Sequence, residues 1–243
     1  MIEQLLPACV VAVEARHDDP NVKLFPEEEA LVERAVEKRR REFTTARMCA
    51  RAALRDLGFP AVSIPTGERG EPLWPAGAVG SITHCDGYRA CAAGRSSEIV
   101  TIGIDAEPNA ALPDGLLGDI ARPEELPALR RLGVELPEIH WDRLLFSAKE
   151  SVYKAWFPLA KRWLGFEDAV LELDPEGGTF DARLLVAGPL LGESQLPAGA
   201  QSSLKGQPST GGLLLAAGRL RGFSGRWMVR EGIVLTAISA TVA

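Results

Sequence analysis

The sequence predicts an α+β fold, and three observations support that class. Residues 139–157 repeat apolar side chains at helical spacing, which indicates one long helix packed against a core. Short runs rich in β-branched residues follow in the last third of the chain and are typical of antiparallel strands. Glu231 and Gly232 separate the last two of these runs and are typical of a hairpin turn. A long helix beside antiparallel strands is the α+β arrangement.

The composition is that of a globular protein. The 243 residues are 46% hydrophobic and 25% charged, which excludes a disordered or fibrous chain. The net charge of −6 argues against a nucleic-acid partner. The four cysteines form no CxxC pair and the three histidines lack zinc spacing, so we expect free thiols in a reducing cytosol. The N-terminus lacks a signal-peptide pattern and no apolar run approaches the roughly 20 residues of a membrane span, so we expect a cytoplasmic protein with no membrane partner.

The first part of the chain is predicted to contain two helices and three strands. Proline and acidic residues suit a first helical turn, and glycine suits the position after a last turn. Residues 65–77 are rich in turn formers, and Pro108 ends the last strand of this part. In chain order the elements are a buried strand at 9–13, a helix opened by Pro26, a helix capped by Thr44 or Thr45 that ends at Leu57 and Gly58, and strands at 88–93 and 99–104.

The second part is predicted to be mostly strands around the long helix. Residues 109–137 contain several prolines and glycines and are predicted to be a linker with short helical turns. Pro158 is predicted to stop or kink the long helix. Residues 187–212 are rich in Gly, Pro, Ser and Gln and are predicted to be a mobile loop. The predicted strands lie at 170–173, 184–186, 213–215, 225–230 and 233–238.

Two carboxylates stand two residues apart in the segment IGIDAEP, at the end of a predicted strand. Strand geometry turns Asp105 and Glu107 to the same side. If they are buried without a cation, they repel each other and a pKa rises. A Mg²⁺ ion that also takes phosphate oxygens would resolve this repulsion. The alternative is a pair of solvated surface acids.

The segment KESVYK lies on the long helix. Glu150 and Lys154 are one turn apart and share a face, and Lys149 beside Glu150 can reach the same cleft edge. Together they offer a third carboxylate and two cations to a phosphate site. The alternative is a surface ion pair worth about 0.3–0.5 kcal/mol.

A histidine and a face of arginines add to the candidate site. His84, in GSITHC, could donate to a phosphate when charged, or it could be structural. Arg47, Arg51 and Arg55 recur every four residues, which suits either an anion-binding face or a solvated one. All these groups together suit a Mg²⁺–polyphosphate site. The Walker A, G-x-G-x-x-G and G-x-S-x-G motifs are absent from the sequence.

Four blocks of the sequence resemble the 4′-phosphopantetheinyl transferases, in the larger, monomeric class that activates surfactin and enterobactin synthetases. They are GERGEPLWP at 67–75, GSITHC at 80–85, GIDAEP at 103–108 and FSAKESVYKAWFPL at 146–159. The resemblance implies a monomer of two similar α+β halves related by a pseudo-twofold axis, each a long helix packed on a small antiparallel sheet. Residues 1–109 would hold the nucleotide part of coenzyme A, and residues 110–243 the catalytic helix and the docking surface for a carrier protein.

The resemblance also implies a set of ligands, position by position. Asp105, Glu107 and Glu150 match the Mg²⁺ ligands, with Mn²⁺ as the alternative ion. Lys149 and Lys154 match lysines that reach the phosphates of coenzyme A. The other implied contacts are Arg47 and His84 at the 3′-phosphate with Arg55 on the same helix face, Arg69, Gly70, Glu71, Pro72 and Thr83 around the adenine nucleotide, and Leu164 in the groove for the pantetheine arm.

The implied activity is transfer of the 4′-phosphopantetheine group from coenzyme A to a serine of an apo acyl or peptidyl carrier protein. Adenosine 3′,5′-bisphosphate is released. Carrier proteins of this kind are acidic and belong to fatty-acid, polyketide or non-ribosomal peptide synthases. The basic residues 38–41 or 161–162 are candidates for docking them, or are simply solvated.

Roles within that reaction follow from residue chemistry. Glu150 is the candidate base for the serine hydroxyl, directly or through a metal-bound water. Lys154, assisted by Lys149, would stabilise or protonate the leaving phosphate. The residues alone leave two other classes open. One is a Mg²⁺ nuclease that uses the clustered acids and a lysine, and the other is a binding module without catalysis.

Overall fold

A computed structural model describes residues 1–192 and 212–242. Over these residues the chain forms a three-stranded and a six-stranded antiparallel sheet, each packed with a twenty-residue helix, so the α+β class is confirmed. The elements are a 3₁₀ turn at Ile2–Leu5, β1 Val11–Ala15, α1 Pro26–Val32, α2 Glu37–Asp56, β2 Ala78–Cys85, β3 Tyr88–Arg95, β4 Ile99–Pro108, α3 Leu117–Ile120, α4 Leu126–Glu135, α5 Trp141–Ala160, a 3₁₀ turn at Phe166–Asp168, β5 Ala169–Asp174, β6 Thr179–Leu184, β7 Gly212–Ala216, β8 Arg219–Arg230 and β9 Ile233–Thr241.

The three-stranded sheet has the order β1–β3–β2, and its central strand is buried on both faces. Cys91 and Ala93 of β3 face Cys49 and Ala53 of α2, and all four are fully buried. Because these side chains are small, the backbones of helix and sheet can approach closely.

The six-stranded sheet has the order β4–β9–β8–β6–β5, with β7 also paired to β8. Helix α5 packs Leu144, Val152 and Trp156 into the core on this sheet. The turn between β8 and β9 has positive φ at both Glu231 (52°) and Gly232 (75°), as a type I′ hairpin requires. The predicted hairpin is therefore confirmed.

The division into halves at residue 109 stays a prediction, as does the pseudo-twofold axis. Strand β4 lies before that boundary but pairs with β9 along nearly its whole length, from Ile99 to Pro108. A cut after residue 109 would therefore separate two strands that are hydrogen-bonded to each other.

The predicted bounds of one helix, α2, and of two strands, β1 and β6, are wrong. Helix α2 begins at Glu37, and Thr44 lies inside it, where its Oγ1 donates to the carbonyl oxygen of Arg40 at 2.8 Å. This bond within the helix replaces the capping role that the sequence suggested. Strand β1 lies at residues 11–15 and is half-buried, and β6 ends at Leu184 where the predicted strand begins.

Two predictions based on proline hold only in part: Pro158 does not stop the long helix, and the helical content of residues 109–137 is larger than short turns. Pro158 lies inside α5, which continues to Ala160 and ends at Lys161 with φ of +50°. In the last turn a proline removes only one helical hydrogen bond. The predicted linker contains the ten-residue helix α4, because Pro127 occupies the first turn, where no N–H donor is needed, and Leu129 and Leu132 are buried.

Most of the predicted loop at 187–212 lies outside the described residues, and within the described part Leu190 forms an isolated bridge with Arg219. All four cysteines are free, as expected. Among the described helices, none has both the length and the apolar character needed to cross a membrane.

Candidate active site

The candidate site lies where β2 of the small sheet meets β4 of the large one. Hydroxyl side chains join the two strands: the N–H of Ile104 donates to Ser81 Oγ (3.1 Å), and the N–H of Ala106 donates to Thr83 Oγ1 (3.0 Å). The hydroxyl of Thr83 donates in turn to Asp105 Oδ1 at 3.2 Å. Because Ser81 and Thr83 are buried, water does not compete for these bonds. Thr83 therefore fixes Asp105 at the junction between the sheets.

Helix α5 lies directly on β4 because Gly103 has no side chain. A Cβ at this position would be 2.1 Å from the carbonyl oxygen of Ser151 and 2.7 Å from the nitrogen of Ala155. Thr236 of β9 holds the same helix, since its Oγ1 donates to the carbonyl oxygen of Ser147 at 3.0 Å and lies 2.6 Å from Ser151 Oγ. These contacts bring the polar face of α5 to the end of β4.

Each carboxylate of β4 is paired with a cation from α5. Lys154 Nζ donates to Asp105 Oδ1 at 2.7 Å and to the carbonyl oxygen of Ile104 at 3.1 Å. Arg143 donates to Glu107 Oε2 at 2.9 Å. The second oxygen of Asp105, Oδ2, is buried and has no hydrogen-bond partner. One acceptor at the centre of the site is therefore unsatisfied.

Glu107 and Glu150 are buried close enough to Asp105 for their pKa values to be raised. Burial, and then the charge of Asp105, raise the pKa of Glu107 to about 7 despite the opposing Arg143. Burial and the charge of Asp105 also raise the pKa of Glu150, while Lys154 opposes the rise. Both groups therefore feel the same central charge, as the sequence pattern of the three acids implied.

The three acids are not gathered as a ready-made metal site. In the residues that the structure describes, no group of three histidine, cysteine, aspartate or glutamate side chains has an arrangement that could hold a metal ion. Asp105, Glu107 and Glu150 are therefore not preassembled around one point, and their role as Mg²⁺ ligands stays a prediction. Instead Lys154 and Arg143 contact Asp105 and Glu107, and these internal cations offset part of the carboxylate charge.

A cleft of about 400 Å³ opens beside these groups. Loop residues 69–74, strand residues 80–82, and Glu150, Tyr153 and Lys154 of α5 line it. The cleft therefore places the predicted loop residues Arg69, Gly70, Glu71 and Pro72 on the same cavity as two predicted catalytic residues.

The loop over the cleft is held by its own hydrogen bonds. The N–H of Gly67 donates to the carbonyl oxygen of Glu71 at 2.8 Å, and the N–H of Arg69 donates to Glu71 Oε2 at 3.0 Å. Gly70 has φ of +86°, a conformation that favours glycine. The GERGEP sequence therefore encodes a tight turn whose residues face the cleft.

Arg47 supports the base of this loop. Its guanidinium donates to the carbonyl oxygen of Ile64 (3.0 Å) and to Thr66 Oγ1 (3.3 Å), and it lies over the ring of Phe43. Burial lowers the pKa of Arg47 to about 10. Arg47 is thus buried and partly used in holding the loop, which the sequence did not indicate.

His84 lies in a strongly basic environment. Its Nε2 contacts Arg39, and its Nδ1 is 3.6 Å from Glu42 Oε2. Burial, then the charges of Arg39 and Lys154, lower the pKa of His84 to about 4. His84 is therefore neutral near pH 7 in this arrangement, and its role at a phosphate stays a prediction.

Of the predicted site residues that do not line the main cleft, Arg55 and Lys149 are engaged in ion pairs away from it. Arg55 is exposed and pairs with its neighbour Asp56 at 3.3 Å. Four residues turn a helix by 400°, so a four-residue repeat drifts by about 40° per step and Arg55 is about 80° away from Arg47. Lys149 is buried and its ammonium pairs with Glu125 at 2.9 Å, so it does not reach the cleft.

Leu164 lines a separate, small pocket of about 120 Å³. Glu150 and Tyr153 belong to this pocket as well as to the main cleft, so the two cavities adjoin at these side chains. Trp163 forms part of the same wall, and its ring is tilted by 54° against that of Tyr153 with the ring centroids 5.0 Å apart.

The sequence reasoning missed three residues that shape the site. Arg143 is seven residues before Glu150 and so lies on the same helix face, a spacing that could have identified it. Arg39 and Glu42 contact His84, but nothing in the sequence pairs residues 42 positions or more apart. Such contacts depend on the packing of α2 against the small sheet.

Comparisons with known proteins agree with this arrangement. Residues 27–94 match the family model described as 4′-phosphopantetheinyl transferase N-terminal domain, and residues 101–190 match the 4′-phosphopantetheinyl transferase superfamily. The chain is 48% identical over 242 residues to the 4′-phosphopantetheinyl transferase Svp of Streptomyces mobaraensis, covering 98% of this chain and 89% of that protein.

Two further relatives are similar over nearly their whole length. The chain is 46% identical over 239 residues to the 4′-phosphopantetheinyl transferase Npt of Nocardia iowensis, covering 98% of this chain and 99% of that protein. It is 45% identical over 247 residues to the 4′-phosphopantetheinyl transferase PptT of Mycobacterium tuberculosis, covering 98% and 97% respectively. The chain therefore belongs to the 4′-phosphopantetheinyl transferases, which are transferase enzymes.

Proposed function

We propose that this protein transfers the 4′-phosphopantetheine group of coenzyme A to a serine of apo acyl or peptidyl carrier proteins, in a Mg²⁺-dependent reaction that releases adenosine 3′,5′-bisphosphate. The main support is the cleft of about 400 Å³, on which the loop Arg69–Pro72 and the acid and lysine of α5 converge. A nucleotide bound under the loop would extend its pyrophosphate toward Glu150 and Lys154.

The donor set at the centre of the site fits a hard divalent cation. Asp105 Oδ2 is a buried oxygen without a hydrogen-bond partner. Burial, and then the charge of Asp105, raise the pKa values of Glu107 and Glu150, and a cation between these carboxylates would oppose both effects. Asp105, Glu107 and Glu150 would hold the ion. When bound, Mg²⁺ supplies positive charge that offsets the negative charge of the pyrophosphate.

Glu150 is the proposed base for the serine hydroxyl. It lies between the main cleft and the small pocket, where the serine and the pantetheine end would meet. Its raised pKa makes the carboxylate a stronger proton acceptor than an ordinary glutamate.

Lys154 is the proposed partner of the leaving phosphate. Its ammonium already lies at the end of β4 on Asp105 and lines the cleft. There it would stabilise the charge that grows on the departing oxygen, or donate a proton to it. Arg47 and His84, with the loop Arg69–Pro72, would hold the adenosine part. Lys149 and Arg55 are not included in this site.

The direct test is mass spectrometry of apo carriers incubated with the protein, coenzyme A and Mg²⁺. Carriers from fatty-acid, polyketide and non-ribosomal peptide synthases should be tried in parallel. The expected result is a gain of one phosphopantetheine group on the serine of at least one carrier. Absence of the gain on all three types, with folded carriers and folded enzyme, would overturn the proposal.

A further inference from the structure

Lys149 makes a buried ion pair that the proposed mechanism does not use. The side chains of Lys149 and Glu125 are each only 2% exposed, and Lys149 Nζ lies 2.9 Å from Glu125 Oε2. The same ammonium donates to the carbonyl oxygens of Ile120 (2.9 Å), Phe166 (2.9 Å) and Ala169 (3.1 Å). Four acceptors therefore surround a group with three protons, and none is left for a ligand.

The carboxylate of Glu125 is equally well satisfied. Its Oε1 accepts from the N–H of Leu171 at 2.7 Å, and its Oε2 accepts from the N–H of Arg122 at 2.6 Å. Through this one pair, α5 is tied to the end of α3, the start of α4, the 3₁₀ turn Phe166–Asp168 and strand β5. A buried pair with this many bonds fixes the relative positions of the elements that it joins.

These elements form the wall beside the proposed base. Lys149 precedes Glu150 on α5, and both line the pocket of about 120 Å³ with Leu164 and Phe166. The bond from Lys149 to the carbonyl of Phe166 sets the distance between α5 and the opposite wall. Loss of the pair would therefore move the wall, or Glu150, by enough to affect a reaction that depends on geometry.

We propose that Lys149 is a positioning residue, which acts through its pair with Glu125 to hold Glu150 and the wall of the small pocket in register. It does not contact the phosphates of coenzyme A. The inference rests on the proposed function for its catalytic part. The structural part, the coupling of two buried charges, stands on the contacts alone.

The test is a double-mutant cycle with Lys149→Met, Glu125→Gln and the double variant. Three quantities are measured on each: Tm, the Kd of adenosine 3′,5′-bisphosphate by calorimetry, and kcat and KM for transfer to a carrier well below each Tm. We expect both single variants to lose several degrees of Tm and at least about tenfold in kcat. The double variant should be no worse than the worse single variant, because both changes remove the same interaction.

The binding measurement separates positioning from phosphate contact. The Kd of the bisphosphate should stay within about twofold of wild type in both single variants, since neither side chain would touch it. Lys154→Met is the matched control on the same helix and should weaken the binding of the bisphosphate. A loss of about tenfold or more in bisphosphate affinity for Lys149→Met alone, or kcat losses that multiply in the double variant, would overturn the proposal.

A milder variant serves if Lys149→Met does not fold. Glu125→Asp shortens the carboxylate arm by one methylene and removes no phosphate contact under any assignment. A lowered kcat with unchanged bisphosphate affinity supports positioning. A lowered Tm with wild-type kcat shows a purely structural pair and overturns it. A wild-type protein that modifies no carrier would overturn the proposed function and the catalytic part together, whereas an active wild type with an uncoupled cycle overturns this inference alone.

Discussion

At the scale of single residues, the site is organised around one oxygen atom. Asp105 Oδ1 accepts from Thr83 and Lys154, whereas Oδ2 is buried and unpaired. An unsatisfied buried acceptor normally costs about 1–3 kcal/mol, so its presence favours a bound partner in the working state. Glu107 and Glu150, both with raised pKa values, are the carboxylates that feel this centre most directly.

Replacing the proposed base should lower the turnover rate without weakening the binding of coenzyme A. We expect Glu150→Gln to reduce kcat by about 10²-fold or more, the usual contribution of a positioned general base, with the Kd of coenzyme A within about twofold. Glu172→Gln, an exposed change on β5, is the control. Steady-state kinetics of carrier modification measure kcat for both variants and for the wild type. A kcat within about twofold of wild type for Glu150→Gln would exclude this residue as the base.

The depressed pKa of His84 predicts a pH dependence of stability. The folded pKa is about 4 and the ordinary value is 6.5, so between these pH values the unfolded chain binds more protons at this residue. The His84 contribution therefore destabilises the fold progressively as the pH falls from about 6.5 toward 4. Denaturant titrations at pH 7.5 and pH 5 measure the free energy of unfolding. This free energy should fall less between the two pH values for His84→Gln than for wild type. Equal losses in both proteins would contradict the prediction.

At the scale of elements, the close packing of α5 on β4 places the chemistry. Gly103 allows the contact, and Thr236 and Ser151 hold it by hydrogen bonds across the interface. The polar face of α5 then lies within hydrogen-bond distance of the acids of β4. The geometry of the site thus follows from an interface in which one residue has no side chain.

That interface makes a stability prediction. Gly103→Ala would put a Cβ 2.1 Å from the carbonyl oxygen of Ser151, in a contact between two backbones that cannot shift cheaply. We expect the free energy of unfolding to fall by about 3 kcal/mol, the upper part of the usual range for overpacking, or by more. Gly118→Ala is the control, because nothing lies within 4 Å of its added Cβ. Urea unfolding compares the two, and a change below about 1 kcal/mol for Gly103→Ala would contradict the packing argument.

At the scale of the whole molecule, the sequence could predict what depends on neighbouring residues. The periodicity of α5, the hairpin at Glu231 and Gly232, and the paired acids of β4 are local patterns, and the structure contains all three. The order of the strands, the burial of Lys149 and the contact of Arg39 with His84 depend on segments far apart in the chain. No local pattern in one sequence contains that information. The sequence places the start of α2 too late because Thr44 has the chemistry of a capping residue but lies inside the helix, where its hydroxyl bonds to the carbonyl oxygen of Arg40.

If coenzyme A and Mg²⁺ bind in the cleft, they should stabilise the folded protein. Coenzyme A and Mg²⁺ at about 100 times Kd should stabilise the protein by about 2.7 kcal/mol, which is about 5–10 °C in Tm for a chain of this size. Asp105→Ala should remove the part of the shift that requires Mg²⁺, measured against the same sample with a chelator. An identical Mg²⁺-dependent shift in that variant would show that the ion binds elsewhere.

The join between the two sheets has a consequence for experiments that probe motion. The amides of Ile104 and Ala106 donate to side-chain hydroxyls of β2 and not to backbone carbonyls. Their deuterium uptake therefore reports whether β2 and β4 separate. A nearly isosteric Thr83→Val change would release one of these amides and leave both ladders intact. A rise in deuterium uptake at Ala106 in this variant would show that a single hydroxyl helps to keep β2 and β4 together.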